Sequence, residues 1–168
     1  MPNTTASLFY IEFEGLDPLP IRSVTEVKFE AQVAGADTEI ECTKGGRTQR
    51  QATSSGFQTT PSMTIEVNMS GDLLSASRII YDWFNESLPA SAGGGSNWVG
   101  ARKSVGITVY DPDGNKQVMR WDVRNAWVKS YSIVDTDAAG SDLMVESYEF
   151  VAEDIQKTVS MEQVFSAA

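Results

Sequence analysis

The sequence predicts a mainly β domain with one helix, a β-sandwich or partly open β-barrel. Three observations carry that prediction: several short runs alternate apolar and polar side chains, one segment alone repeats its apolar residues at helical spacing, and clusters of Pro, Gly and Asp separate the runs.

Residues 8–14 (LFYIEFE) are aromatic and β-branched with partial alternation, and Gly15, Asp17, Pro18 and Pro20 end the run in a turn. In 24–33 Val27, Phe29, Ala31 and Val33 fall on one face, with Glu26, Lys28, Glu30 and Gln32 on the other, as in a strand wetted on one side. Extended structure resumes in 38–43. Gly45-Gly46 then opens a polar stretch, RTQRQATSSGFQTTPS, so that 43–62 reads as a long loop. Loops of that length inside compact domains are usually functional or disordered, and an arm that orders against a partner is expected.

Met63, Ile65, Val67 and Met69 share one face of a further strand. Asp72 can cap a helix over 73–88, where Leu73, Ala76, Ile80 and Trp83 or Phe84 form a stripe at helical spacing. Pro89 ends it, and the Gly-rich segment 89–101 (containing SAGGGSNWVG) reads as a second, flexible loop with an isolated Trp98. Strands at 105–110 and 117–123 flank Asp111-Pro112-Asp113-Gly114-Asn115, a hairpin connection whose Pro presets φ and whose Gly accepts a positive φ. Residues 127–134 and 143–152 form a last hairpin around DTDAAGSD. The C-terminal extension 153–168 carries no clear pattern. Seven or eight strands are expected, with Trp83, Trp121 and Trp127 in the core.

At 168 residues the chain suits one domain, 1–168, with its core in about 8–155. No internal repeat is present. The formal charge is −10, with 13 Lys and Arg scattered along the chain, which opposes binding to nucleic acid. The first residues, MPNTTAS, lack the basic and apolar regions of a secretory signal, and no apolar stretch is long enough to span a membrane. Synthesis in the cytoplasm without membrane insertion is expected. The single cysteine, Cys42, excludes an internal disulfide and lies in a strand pattern (TEIECT), where a buried thiol is expected.

Catalytic and metal-binding readings find little support. The absence of histidine removes the Ser-His-Asp and Cys-His arrangements and the usual zinc ligands. Gly93-Gly94-Gly95 lacks the Gly-Lys-Ser/Thr of a phosphate loop. DTDAAGSDLMVE places Asp135, Asp137, Gly140 and Glu146 at calcium-loop positions, but Ala139 offers no oxygen and the flanks read as strands. No catalytic residue, cofactor or metal site is expected. Two other classes remain as alternatives: a monomeric ligand-binding β-barrel and an enzyme using a carboxylate pair.

Three segments together resemble the phage T4-like tail tube family, relatives of the tube-forming haemolysin-coregulated proteins: TEIECTKGG (38–46), MTIEVNMSGDLLSASRIIYDWFNE (63–86) and VGITVYDPDGNKQVMRWDVRNAWVKSYSIVDTDAAGSDLMVESYEFVAEDI (105–155). The polar arm 47–62 and the GGGSNWVG insert depart from the family pattern. The resemblance implies a β-barrel-like subunit with a side helix, assembling as stacked hexameric rings around a channel for cargo or DNA, as the inner tube of a contractile phage tail or injection system. It further implies a contractile sheath, a baseplate or spike and a tube terminator as partners, and a location within a tail or injection particle. A secreted ring-forming carrier of a type VI-like system is the variant reading. The candidate contacts with neighbouring subunits are Arg47, Arg50 and Phe57 in the polar arm, Trp98 in the Gly-rich loop, and Asp135 and Asp137 in the aspartate-rich loop. Acidic side chains are expected to line the channel and keep anionic cargo from sticking.

Overall fold

The computed structural model describes residues 9–34, 39–43, 47–50, 53–58, 60–134, 140 and 143–159, with the backbone alone described in 39–58 and at Val134 and Val159. Alternating segments become strands because extended backbone sends successive side chains to opposite faces, letting one face bury and the other stay wet. The strands among these residues are β1 (Phe9–Phe13), β2 (Ser23–Lys28), β3 (Ala31–Ala34), β4 (Glu39–Thr43), β5 (Arg47–Arg50), β6 (Thr53–Gln58), β7 (Ser62–Asn68), β8 (Lys103–Tyr110), β9 (Gln117–Val134), β10 (Val145–Val151) and β11 (Asp154–Val159). Helix α1 (Ala76–Ser87) and a short helix α2 (Trp98–Ala101) lie between β7 and β8.

Two antiparallel sheets share β9. Its first part pairs with β8 on one side and β11 on the other, and β8 pairs with β1. Its second part pairs with β10, which continues to β7 and then β2. The changeover falls beside Asn125, whose φ of 50° is left-handed. Its side chain donates to Glu153 Oε2 at 2.7 Å, an anchor for a backbone geometry that Asn tolerates better than most residues. The sequence divides 117–134 into two strands around this point. The structure keeps one strand and bends it.

The sheets do not close into a barrel. Their inward faces enclose a single core of Ile11, Phe13, Val105, Ile107 and Val123 from one sheet and Met63, Ile65, Val67, Val128, Tyr148 and Phe150 from the other, with Ile80 and Trp83 supplied by α1. Trp83 sits 5.9 Å edge-on to Phe13 and 5.1 Å from Phe150, and its indole N–H donates to the carbonyl of Ala101, tying α1 to α2.

The structure corrects four expectations. Helix α1 begins at Ala76 because Ser75, not Asp72, is its N-cap: Ser75 Oγ accepts from Arg78 N at 3.3 Å, while Asp72 Oδ1 accepts from Leu74 N one turn earlier. Leu73 therefore lies outside the helix. The run 24–33 is broken between β2 and β3, and Phe29 and Val33 are exposed. The supposed loop 43–62 contains β5, β6 and the start of β7. The supposed patternless segment after residue 153 forms β11, registered from Asp154 opposite Arg124 to Val159 opposite Met119.

Candidate functional site

Past Lys28 and Ser62, where β2 and β7 are still paired, the same two chain directions continue as β3 and β6, registered Ala31 to Gln58 and Ala34 to Thr53. Strands β4 and β5 pair beyond them, Thr43 opposite Arg47 and Glu39 opposite Arg50. The result is a two-stranded arm that prolongs one edge of the sheet. Of the candidate contact residues, Arg47 and Arg50 are on β5 and Phe57 on β6. The arm's root leaves Phe29 43% and Val33 62% exposed.

A second surface lies at the arm end of the sheets. The segment expected to be a flexible loop was 89–101; its part up to Asn97 is closed by backbone hydrogen bonds: Gly94 N to Pro89 O, Gly95 N to Asn85 O, Ser96 N to Leu88 O and Asn97 N to Glu86 O, at 2.8–3.1 Å. Gly94 permits this packing, since a Cβ there would stand 2.3 Å from Leu88 Cβ. Asn97 caps α2 by accepting from Gly100 N at 3.3 Å and donates to Glu86 at 2.8 Å. Trp98 is thereby held out at 45% exposure, edge-on to Trp127 at 6.3 Å, with the Arg102 guanidinium 4.8 Å over its ring. Arg102 in turn pairs with Glu153 at 2.8 Å. Beside them runs a groove of about 390 Å³ lined by Pro61, Trp98, Trp127, Val151, Ala152 and Glu153.

The opposite end carries a different surface. Leu73 and Leu74 are 72% and 80% exposed, and Leu143 and Met144 also face solvent. The helical stripe read from the sequence included Leu73 and passed over Leu74, whereas both precede α1.

Asp135 and Asp137 lie outside the described residues. Glu146, the last position of the calcium-like pattern, points inward. Its carboxylate accepts from Ser77 Oγ at 2.5 Å, Tyr131 OH at 2.9 Å and Tyr148 OH at 3.2 Å. Burial, then the hydrogen bond to Glu146, pushes Tyr131 up to about 12, and burial followed by the Glu146 charge raises Tyr148 further. Both phenols thus stay protonated donors at neutral pH. Among the described residues no group of three or more Cys, Asp and Glu side chains could hold a metal ion, and no helix is long and apolar enough to cross a membrane.

Trp83 is 3% exposed, whereas Trp121 and Trp127 are half-buried. Trp121 borders a cavity of about 610 Å³ with Phe9, Val24, Val27, Ile107 and Val109, open where the two sheets diverge. The wet faces are charged. On the first sheet Arg120 lies across Gly106 and binds Asp122 at 2.8 Å and Glu12 at 3.6 Å. On the second sheet Glu66 accepts from Ser23 at 2.9 Å, and Glu149 binds Lys129 and Ser130, both at 3.2 Å.

An open-edged sandwich with a projecting arm and exposed apolar surfaces at both ends defines a subunit built for assembly with other chains. The chain belongs to the T4-like virus tail tube protein gp19 family, which matches residues 5–156. It is a structural, inner-tube protein of the kind found in phage tails and contractile injection particles. Among solved structures, the fold is similar to a chain of the sheath/tube terminator of the PVC extracellular contractile injection system in its extended state (17% identity, TM-score 0.65, covering 94% of this chain and 97% of that one). It is also similar to a chain of the anti-feeding prophage tube-terminating cap (15% identity, TM-score 0.62, 95% and 93%) and to Hcp1 from Flavobacterium johnsoniae (16% identity, TM-score 0.51, 91% and 96%). No curated protein sequence matches the chain.

Proposed function

We propose that the subunit closes into hexameric rings by edge-to-edge addition of the sheet β2–β7–β10–β9, and that the rings stack into a tube with a continuous channel. The observation that carries this reading is the pair of open edges: β2 and the second part of β9 each have a strand on one side only among the described residues. Unpaired edges expose a row of amide and carbonyl groups that a copy can satisfy, and edges on opposite sides let each copy add to the next. The outward face of that sheet, with Ser23, Glu66, Ser130 and Glu149, is the channel wall: its hydroxyls and carboxylates hold water and repel anionic cargo. The six-fold symmetry named for a similar chain in the anti-feeding prophage baseplate supports the ring number (TM-score 0.55, 10% identity). The sheath-tube complex and tube terminator named for other similar chains support a sheath, a terminator and a baseplate as partners.

The role is structural and not enzymatic. Electron microscopy of the purified protein is expected to show rings or hollow tubes. A monodisperse monomer at high concentration overturns the proposal.

A further inference from the structure

Helix α1 has twelve residues, so its ends stand about 18 Å apart at 1.5 Å per residue. Just before its N-terminus the turn 72–75 presents Leu73 and Leu74, among the most exposed large apolar side chains of the described residues. Just after its C-terminus the segment 88–97 presents Trp98 at the Trp127 groove, and the adjacent Val99 is 66% exposed. A projecting leucine pair and an aromatic-walled groove thus sit at opposite ends of one helix and cannot meet within a subunit.

Grouped exposed apolar side chains mark contact sites, and Trp and Arg are among the residues enriched at the energetic centres of interfaces. Two different surfaces at opposite ends make a head-to-tail contact, which closes into a ring if the rotation between copies closes and stacks openly if it does not. We propose that Leu73 and Leu74 of one subunit seat in the Trp98–Trp127 groove of a second copy in the next ring, so that α1 carries a knob and a socket for axial stacking. This rests on the tube reading above and adds the axial contact pair to it. The groove is preformed: Gly94 packing, the Asn97 cap and the Arg102–Glu153 pair hold Trp98 in place before any partner arrives, which lowers the ordering entropy lost on docking.

The test is thiol cross-linking of assembled tubes. With Cys42→Ser removing the native thiol, Leu74→Cys and Val99→Cys in one chain, treated with a short bismaleimide, are expected to give a covalent ladder extending past six subunits, the ring number proposed above. A ladder ending at six places the contact within the ring and overturns the proposal, as does the absence of cross-links in well-formed tubes. Leu74→Asp, at an exposed site, is expected to leave the unfolding midpoint unchanged and raise the concentration needed for tube formation by about tenfold or more. Unchanged tube formation by this variant also overturns it. Failure of the unsubstituted chain to form tubes removes the tube reading itself.

Discussion

Trp83 joins three elements through one side chain: it packs edge-on against Phe13 of β1 and tilted against Phe150 of β10, and its indole N–H donates a hydrogen bond to the carbonyl of Ala101 at the end of α2. Truncation leaves a cavity and an orphaned carbonyl, so Trp83→Ala is expected to cost about 3–5 kcal/mol in denaturant unfolding of the unassembled subunit. Trp121→Ala, at a half-buried site beside an open cavity, is expected to cost about 1–2 kcal/mol in the same measurement. Helical spacing puts Trp83 on an inward stripe, and Trp121 and Trp127 were expected in the core with it, but how much of each is covered depends on what packs above, which is a tertiary matter. The phenol of Tyr131 supplies a pH signature. Its folded pKa is raised from 10 to about 12, so the folded state holds that proton more tightly. Stability from this group is complete below about pH 10, falls as the pH rises towards 12, and is gone above it. Urea midpoints measured between pH 9 and 12 are expected to drop, and Tyr131→Phe to flatten part of that drop.

At the scale of elements, the arm was half legible. Alternation in 24–33 and the β-compatible TEIECT were visible, but Gly45-Gly46 and the serine-rich stretch read as loop, because local propensity is weak where a strand is stabilised by its partner strand alone. The register of β3 with β6 and of β4 with β5 is what makes these segments strands. Deleting 47–60 removes β5 and β6 but none of the described core side chains. The deletion variant is expected to remain folded by circular dichroism and to form no stacked tubes in electron micrographs. Normal tubes from it would remove the arm from the stacking scheme. The Gly-rich segment shows the opposite error: composition suggested flexibility, yet Gly94 and Gly95 allow close backbone approach, Gly93 takes a positive φ of 83°, and four backbone hydrogen bonds close the loop around Glu86 and Leu88.

For the whole molecule, the order of β1, β2, β7, α1, β8, β9 and β10 was written in the sequence, since the period of apolar residues switches from two to helical and back and the DPDGN turn fixes the β8–β9 hairpin; β5, β6 and β11 were not, and eleven strands stand among the described residues where seven or eight were expected. The family followed from three long segments in their order. From composition alone, the acidic charge counted against nucleic-acid binding, the missing histidine removed the common hydrolase triads, and the single cysteine left no partner for an internal disulfide. The sequence could not show that β9 serves two sheets, because that bend depends on Asn125 being held by Glu153, distant in sequence. Nor could it show that Leu73, Leu74 and Trp98 stay outside the core. Periodicity reports which side chains share a face, a property local to each element; whether a face is buried, wet or left for another subunit depends on which elements arrive opposite it, and only the tertiary structure decides that.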